Sequence, residues 1–587
     1  MNRFAVWMLI VGLVLSQAGL AVADEPLDAF PAETGVLLRI ASVEKLAGGF
    51  NELTAGLGQT AAPAAAGFEQ GLAEMFEVKA DPSAIDRSAP AFVAIFPILE
   101  ERQPLAYLVS TADENKLRHA VLKSGGESDL VIEKTESGFD KITHEGRTWF
   151  FGRHGDRVLY TSSEAVVKLL ANRESNRLGS VIEPRAAELL AGGDGAVFVN
   201  ATRLQEAFGE QINQGRQQIL NSIESLPDQA LGASGADPKS IRKLYSDMAN
   251  LAFDSAADAV WAGGNIDFSA EGAAVNALLG VKQGSGTDTL LAASPPVAFE
   301  TLGLLPAGSR AYLGFHWNYE QLSRWSQDFL SLAYAGGAEK AEALQAALKA
   351  MGQAGAGPLV STFSLPSGGA SMVASLLQQA DDPEALRQAN RAYQAAIGEV
   401  NTPVYNQTIE YKAAEETYKE RPIDLLVQRV QLANAADPGV AIGQQFVQKL
   451  FGGDAVQTRI AVVEGLFVQT TSNDSKHIHQ VLDGLESGEG VLGLQEPFAQ
   501  TRDHLAESAN LIMLINFPQL VLDGVGMVRD IPPFGMLLAQ APFNFGATPA
   551  ESYAGMSLGT EPQGLRLRVF VPVGQPKGFL QIFAPGF

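Results

Sequence analysis

Two stretches of sequence, residues 261–272 (WAGGNIDFSAEG) and residues 553–564 (YAGMSLGTEPQG), share one pattern. Each begins with an aromatic residue followed by Ala-Gly, and each ends with a glycine at the same spacing. An apolar strand pattern follows each closing glycine, at residues 273–281 and 565–573. In the second of these strands apolar and polar residues alternate, and a glycine turn before such a strand is typical of a β-hairpin. The two stretches therefore predict the same hairpin twice.

Further short segments recur in the same order along the two halves of the chain. Each half has a Pro-Ala pair before its first strand, a Leu-Gly pair followed by Glu-Pro, and a proline that opens another strand. The matched positions are Pro31-Ala32 with Pro306-Ala307, Leu178-Gly179 with Leu492-Gly493, Glu183-Pro184 with Glu496-Pro497, and Pro90 with Pro358. Their common order predicts an internal duplication with a repeat of about 280 residues.

The duplication suggests where the chain divides. Residues 283–296 are rich in Gly, Ser, Thr and Pro, which is typical of a joint between domains. We therefore predict a signal peptide at residues 1–23, a first copy at 24–282, a linker at 283–296 and a second copy at 297–587.

Helix and strand patterns predict the fold class. Thr111-Ala112-Asp113-Glu114 and Asp381-Asp382-Pro383-Glu384 are helix start signals, and each follows a hairpin pattern. Strands that are joined through hairpins form mostly antiparallel sheets. We predict an α+β fold of two duplicated modules, each a mostly antiparallel sheet with helices packed on one face.

Amphipathic helices occur at several places within the copies. Copy one is extended near its end by two helices whose apolar positions are Leu204, Phe208, Ile212 and Ile219 in one, and Ile241, Leu244, Met248 and Leu251 in the other. In copy two, Leu322, Trp325 and Phe329 predict a helix after the first strand. Apolar residues three or four positions apart form one face of a helix.

The first residues have the order of a secretory signal peptide. Arg3 supplies a positive charge, residues 4–15 are almost entirely apolar, and Ala21-Val22-Ala23 are small residues before Asp24. The apolar run is too short to cross about 30 Å of hydrocarbon comfortably. We predict cleavage after Ala23, no transmembrane segment in the mature chain, and a periplasmic or secreted location.

Composition limits the class of protein and its partners. The chain has 587 residues, 46% of them hydrophobic and 18% charged, which are values of a globular protein. It contains no cysteine, so burial alone must stabilise it outside the cytoplasm. Its formal net charge is −24, and it becomes −25 without residues 1–23, whose only charged side chain is that of Arg3. Such a surface repels phosphate backbones, so we expect no nucleic-acid partner.

Histidine pairs are the first candidates for a metal site. His477 and His479 are two residues apart, while His119, His144, His154, His316 and His504 are isolated in sequence. The pair follows a helix start, and side chains two positions apart on a helix point about 200° apart. They would not chelate one ion, so we interpret them as part of a solvated helix turn.

Nucleophile and phosphate motifs are weak in this chain. Residues 369–373 (GASMV) lack the last glycine of G-x-S-x-G and are typical of the start of a strand. Ser-x-x-Lys occurs at Ser42–Lys45 and at Ser240–Lys243, as often as chance predicts for this length. The glycines of residues 352–357 are in the wrong order for a phosphate loop, and a strand follows them.

Carboxylate and aromatic clusters complete the search for a site. Adjacent carboxylates occur at Glu100-Glu101, Asp381-Asp382 and Glu415-Glu416, but neighbouring side chains point apart, and paired catalysis needs carboxyls about 5–10 Å apart across a cleft. We interpret the aromatic residues of 315–319 and 149–151 as core residues at strand ends. The sequence therefore predicts no catalytic, cofactor-binding or metal-binding residue, and no cofactor.

The repeated openings Pro31-Ala32-Glu33-Thr34 and Pro306-Ala307-Gly308-Ser309 each lead through a strand to an amphipathic helix. In a chain with a signal peptide, this arrangement resembles a broad group of uncharacterised secreted bacterial proteins, grouped as domains of unknown function. The resemblance extends over most of the mature chain. It implies an extracytoplasmic location and carries no catalytic residues.

These observations favour a protein without enzymatic activity. We expect an extracytoplasmic binding or scaffolding protein of the bacterial cell envelope, with an envelope protein, an extracellular protein or a hydrophobic ligand as its partner. Two alternatives remain open at this point. One is a hydrolase that acts on envelope polymer through carboxylates, and the other is a carrier that holds a lipid chain in an apolar cavity.

Overall fold

The computed structural model describes residues 27–583 apart from several gaps. The gaps are residues 59–61, 100, 102–103, 124–129, 173–175, 229–237, 319–336, 367–370, 402–404, 433–437, 530, 532–533, 539 and 541–542. The described residues form two compact units. The first draws on Met1–Gly215, Ser255–Thr289 and Pro562–Val573, and the second on Arg216–Asp254, Leu290–Glu561 and Gly574–Phe587.

The first unit contains an antiparallel sheet. Its described strands are β1 (Val36–Ile40), β2 (Ala91–Ile95), β3 (Leu105–Val109), β4 (Ile132–Lys134), β5 (Asp140–His144), β6 (Arg147–His154), β7 (Arg157–Thr161), β8 (Gly195–Val199), β9 (Ala259–Phe268), β10 (Gly272–Val281) and, from late in the chain, β23 (Gly564–Pro572). They pair in the order β4-β5-β6-β7-β3-β2-β1-β8-β9-β10-β23. The hairpin predicted around residues 261–281 is the pair β9–β10.

Helices of the first unit follow or precede these strands. They are α1 (Val43–Ala55), α2 (Ala62–Met75), α3 (Glu114–Leu122), α4 (Glu164–Ala171), α5 (Leu178–Val181) and α6 (Pro184–Ala191). Three more helices, α7 (Ala201–Glu224), α8 (Pro238–Asp258) and α9 (Gly286–Ala292), begin in one unit and end in the other.

Helices cover both faces of this sheet, so the prediction that they pack on one face is wrong. Leu38 and Ile40 of β1 pack in a core with α1, α2 and α3. Leu37 points to the opposite face and packs with α4 and α6. Successive side chains of a strand point to opposite faces, and β1 is apolar at both sets of positions, so each face needs its own cover.

The strands of the second unit are also antiparallel. Its described strands are β11 (Val297–Ala298), β12 (Ala311–Phe315), β13 (Ala356–Ser364), β14 (Val373–Ala380), β15 (Val400–Asn401), β16 (Tyr405–Tyr418), β17 (Arg421–Leu432), β18 (Ala455–Val463), β19 (Leu466–Thr471), β20 (Ser508–Ala509), β21 (Leu511–Ile515) and β22 (Ala554–Glu561). They pair in the order β15-β16-β17-β18-β19-β14-β13-β12-β21-β22. A separate short pair joins β11 to β20.

Helices also pack on both faces of these strands. They are α10 (Gly337–Gln353), α11 (Pro383–Ile397), α12 (Pro438–Phe451), α13 (Lys476–Ser487), α14 (Glu496–Arg502), α15 (Phe517–Arg529), α16 (Phe534–Leu538) and α17 (Gly574–Phe583). Leu377 of β14 packs in a core with α13, and its neighbour Leu376 packs on the other face with α11.

Two predicted helix starts are confirmed. The Asp113 carboxylate caps α3 by accepting from the Lys116 amide over 3.1 Å, so the cap is Asp113 and not Thr111. Asp382 caps α11 in the same way, accepting from the Ala385 amide over 2.9 Å, with Pro383 in the first turn. Short acidic side chains at this position satisfy amides that the helix leaves unpaired.

Some predictions fall where the structure is not described. The signal peptide of residues 1–23, the helix predicted from Leu322, Trp325 and Phe329, and the first two residues of the 369–373 motif lie outside the described residues. The expected linker, residues 283–296, contains α9, and a division between the two units falls within it, between Thr289 and Leu290.

Candidate functional site

Ser375 and His477 form the pair that most resembles a nucleophile and its base. Ser375 lies in the middle of β14, and its Oγ is 2.7 Å from Nε2 of His477 on α13. Ser375 is almost completely buried, and its own amide donates to the Thr362 hydroxyl. Burial lowers the pKa of His477. A substrate cannot reach a hydroxyl in the middle of a covered strand, so this bond joins helix to sheet.

His479 has a different environment from His477. Its ring stacks on Tyr418, with ring centroids 3.8 Å apart. The Tyr418 hydroxyl donates to the Asp483 carboxylate, which also pairs with Lys419 over 2.6 Å. The hydrogen bond from Lys419, followed by the one from Tyr418, lowers the pKa of Asp483. The two histidines therefore point apart, as the helical spacing predicts, but His477 is half-buried and not a solvated residue. Among the described residues, no group of three potential metal-ligating side chains comes together.

The Ser-x-x-Lys segment at Ser42 is a helix cap. The Ser42 hydroxyl accepts from the Lys45 amide over 3.0 Å at the start of α1 and donates to the Arg87 carbonyl over 3.0 Å. Lys45 pairs with Asp194 over 2.8 Å instead of activating the serine. In the second match, Lys243 pairs with Asp247 on the exposed surface of α8.

Asp194 and Asp267 bring two carboxylates together at the end of β8 and β9. Asp194 is buried, and its Oδ2 accepts from the Phe268 amide over 3.1 Å. Burial, and secondarily the charge of Asp194, raise the pKa of Asp267 to about 7, although Lys45 opposes this rise. Asp194 accepts from the Phe268 amide and pairs with the Lys45 ammonium group. Its carboxylate therefore links the start of α1 to the end of β9.

Asp267 is expected to make stability depend on pH. Its folded pKa of about 7 exceeds the ordinary value of 3.8, so the folded chain binds an extra proton between these values. Stability should therefore fall as pH rises from about 4 to about 7. Replacing Asp267 with asparagine should raise stability at pH 8 by about 1–2 kcal/mol, after allowance for solvent screening at this half-buried site, and leave it nearly unchanged at pH 4.

Thermal unfolding of both chains across this pH range tests the prediction. Asp156→Asn, in an exposed turn, is the matched control and should leave the pH profile as it is. Parallel profiles for the parent chain and Asp267→Asn would contradict the raised pKa.

The remaining clusters are structural where they are described. Trp149 and Phe151 are core residues on one face of β6, and Phe150 is a core residue on the other, as predicted. Phe315, by contrast, is exposed at the end of β12. Of the adjacent carboxylates, Glu416 pairs with the buried Arg459 over 3.0 Å, and Asp382 is the cap of α11.

A cavity of about 320 Å³ lies in the first unit between α1, α2 and the segment that follows α2. Its floor is apolar and buried, and consists of Val43, Leu72, Ala73, Val78 and Ile85. These residues belong to the same core that covers one face of the sheet. The volume is at the lower end of the range for small-molecule sites.

The rim of the cavity is polar and exposed. Glu69 and Gln70 of α2 contribute to it, together with Lys79 and Arg87 of the segment that follows α2. Arg87 faces Glu69 at 3.5 Å, and both side chains remain partly exposed. Lys79 pairs with Glu74, so each of the two cations of the rim already has a carboxylate partner. Among the described residues of this lining Glu69 is the one carboxylate, so these residues do not supply the pair that a carboxylate hydrolase needs.

Comparisons with other proteins do not supply an identity. No family model, no curated protein and no solved structure matches this chain. Within the described part of the chain, every helix is too short or too polar to cross a membrane.

Sequence reasoning did not find this cavity. Its lining comes from residues 43–87, where Ala66, Leu72 and Val78 have the pattern of ordinary core and helix positions. The only sequence signal is the density of small residues between positions 55 and 73. Small side chains leave room between packed helices, but where that room opens depends on the packing itself.

Proposed function

We propose that the protein is a non-enzymatic binding or scaffolding protein of the bacterial cell envelope, made of two duplicated α+β modules. The observation that carries the binding function is the cavity between α1 and α2, with its buried apolar floor and charged rim. The described Ser-His and carboxylate pairs are already engaged in bonds that hold helices and strands together. This favours binding over catalysis.

The order of strand pairing supports the duplication. In the first unit β1 lies between β2 and β8, and β3 continues from β2 to β7. In the second unit β12 lies between β13 and β21, and β14 continues from β13 to β19. The sequence matches that start at Pro31 and Pro306 lead into β1 and β12. The alignment that matches these residues therefore also matches the strand pairings of the two halves.

Matched hydrogen bonds add to this support. Asp194 and Asn510 each precede the strand after the Glu-Pro helix. The Asp194 carboxylate accepts from the Phe268 amide, and the Asn510 side chain accepts from the Thr560 amide over 2.8 Å. Pro31 bridges to Arg177 and Pro306 bridges to Val491, each just before a Leu-Gly pair. Such agreement in detail is unusual for unrelated domains.

Export rests on the sequence of residues 1–23 alone. The charge, apolar run and small residues before Asp24 favour cleavage and release outside the cytoplasm. The absence of cysteine agrees with a chain stabilised by burial in any redox compartment.

The ligand class follows from the lining of the cavity. Burial of an apolar chain against Leu72, Ala73 and Val78 would contribute about 25 cal/mol for each Å² removed from water. A carboxylate head at the mouth would meet Lys79 and Arg87, where it would replace their present partners Glu74 and Glu69. We therefore propose a small amphipathic acid as the ligand, which makes the carrier function the second candidate favoured by this structure.

Calorimetric titration of the mature chain with decanoate tests the proposal. We expect saturable binding, and a mass increase in native mass spectrometry that matches a bound amphiphile. Ala66→Trp puts a large side chain at the exposed rim and should weaken binding by about tenfold or more, equivalent to at least about 1.4 kcal/mol.

Ala64→Trp is the matched control, because Ala64 is exposed on the same helix but does not line the cavity. It should bind decanoate like the parent chain. A mass at the sequence value together with no heat of binding would refute the amphiphile proposal.

A further inference from the structure

Exposed apolar side chains lie together near the end of α15. On the short helix α16, Phe534 is 42% exposed, Met536 67% and Leu537 64%, and Phe583 at the end of α17 is 51% exposed. At about 100° per residue, the three exposed side chains of α16 spread over about 160° of its circumference. Exposed apolar side chains that lie together are typical of a surface that another body covers.

Contacts among the described residues hold this group in place. The Arg529 guanidinium at the end of α15 lies over the Phe545 ring, 4.7 Å from its centroid. The Phe543 ring lies 4.9 Å from that of Phe545 and 5.2 Å from that of Phe583. α16 packs closely against the end of α15, since a Cβ on Gly535 would collide with the Arg529 carbonyl oxygen. We call the side chains of Phe534, Met536, Leu537, Phe543 and Phe583 the apolar patch.

The apolar patch lacks the acidic residues that are frequent elsewhere in this chain. Residues 531–550, between Asp530 and Glu551, contain no charged side chain, and α17 contains Lys577 alone. The whole chain has 66 acidic residues in 587, so these 30 residues would hold about three at the average frequency. Arg529 and Lys577, on the two helices that carry the patch, are both exposed. The acidity of the protein is therefore interrupted at this surface, where cations and apolar side chains lie instead.

We propose that the apolar patch inserts into the surface of a lipid bilayer. Phe534, Met536 and Leu537 point in different directions from one short helix, and each is well exposed. A folded partner would present a single face to such a helix, whereas fluid acyl chains surround all three side chains. Phe and Leu beside exposed Arg and Lys are also the composition of segments that bind at the bilayer interface. The long cationic side chains reach the lipid phosphates while the apolar ones are buried.

The net charge of −24 determines which bilayer surface is favoured. Anionic headgroups repel an acidic chain over several ångströms, so electrostatic attraction of the whole protein does not drive this contact. Removal of apolar side chains from water supplies the favourable free energy instead. A zwitterionic bilayer lacks the repulsion and is therefore the preferred surface.

This proposal goes beyond ligand binding and does not depend on it. The cavity that carries the proposed function is formed by residues 43–87 of the first unit, whereas the apolar patch belongs to the second unit. Substitutions in the patch should leave the decanoate titration unchanged. That titration and the tests below can therefore fail independently.

Cosedimentation of the mature chain with phosphatidylcholine vesicles tests the insertion. The parent chain should pellet with the vesicles, and the double variant Met536→Asp, Leu537→Asp should bind at least about tenfold more weakly, because a carboxylate is costly to place in hydrocarbon. Leu494→Asp is the matched control, since Leu494 is 68% exposed in the same unit but is not part of the patch. It should bind vesicles like the parent chain. Equal binding of the double variant and the control, or a parent chain that stays in the supernatant, would overturn the proposal.

Salt separates apolar insertion from attraction by the two cations. Vesicles that contain phosphatidylglycerol should bind the parent chain more weakly than phosphatidylcholine vesicles, and added NaCl should strengthen that binding because it screens the repulsion. Binding that falls as salt is added would show that Arg529 and Lys577 carry the contact, and apolar insertion would be refuted.

A single labelled cysteine reports the depth of the patch, because the chain contains no cysteine of its own. An environment-sensitive fluorophore on Leu537→Cys should shift its emission to the blue when phosphatidylcholine vesicles are added. The same label on Leu494→Cys should show no shift. Identical spectra with and without vesicles for the Leu537→Cys chain would contradict insertion at α16.

Sedimentation velocity without lipid tests the competing occupant, a second copy of the chain. The sedimentation coefficient should not change with protein concentration if the apolar patch binds lipid alone. If it rises with concentration, and the double variant Met536→Asp, Leu537→Asp abolishes the rise, a second copy covers the patch and the bilayer proposal is refuted.

Discussion

Replacing Asn510 with leucine is expected to lower the free energy of unfolding of the second unit by about 3 kcal/mol. The Asn510 side chain is buried, and its Nδ2 donates to the Ser294 carbonyl over 2.8 Å while its Oδ1 accepts from the Thr560 amide over 2.8 Å. Leucine has a similar size but cannot form either bond. The Ser294 carbonyl keeps a bond from the Thr560 hydroxyl, so the larger cost is the buried Thr560 amide.

Urea unfolding and hydrogen exchange measure this effect. The midpoint of the second unit should fall, and amides of β22 should exchange faster because Thr560 has lost its acceptor. Asn51→Leu is the matched control, since Asn51 is exposed on α1 and should change stability by no more than about 0.5 kcal/mol. Unchanged exchange in β22 would mean that Asn510 does not hold this strand.

Replacing Tyr160 with alanine is expected to cost about 3–5 kcal/mol in the first unit. Tyr160 is completely buried on β7. Its ring lies 4.9 Å from that of Tyr107 and 5.9 Å from that of Phe151, and its hydroxyl donates to the Phe76 carbonyl over 2.7 Å. Alanine removes the ring contacts, creates a cavity between sheet and helices, and frees the end of α2.

Tyr160→Phe separates the ring from the hydroxyl. It keeps the ring stacking and loses one buried hydrogen bond, so it should cost about 1 kcal/mol. Fluorescence of Trp149, whose ring is 5.9 Å from Tyr160, reports the unfolding of this core. If phenylalanine proves as harmful as alanine, the bond to Phe76 and not the packed ring dominates stability here.

Much of the local structure is predictable because it depends on neighbours in sequence. Alternation and turn glycines predict the β9–β10 hairpin, and Asp113 and Asp382 mark helix starts through bonds to amides three residues away. The same local geometry explains why His477 and His479 do not share a ligand.

The faces that helices cover were harder to predict. The strand pattern of residues 36–40 is apolar throughout, which indicates burial on both sides, but the prediction of one covered face followed from the antiparallel pairing. Antiparallel sheets often expose one face to water, whereas here Leu37 and Leu38 each reach a separate core. The continuous apolar pattern of residues 36–40 therefore indicated the covered faces better than the antiparallel pairing did.

The candidate sites depend on residues that are distant in sequence. Asp194 and Asp267 are in different strands, and the raised pKa of Asp267 comes from burial and from the charge that the fold brings near it. The cavity likewise combines a helix start, a second helix and a turn. Neither composition nor spacing contains these distances, because packing determines them.

By itself the sequence determined the class of fold, the strong acidity, the lack of disulfides and the repeated order of segments, because these depend on composition and short-range pattern. Tertiary structure alone decided that both sheet faces are covered, that Ser375 is out of reach, and that space remains between α1 and α2 above the core. Burial and the separation of distant side chains arise only when the elements pack, and they determine which polar groups can bind a ligand.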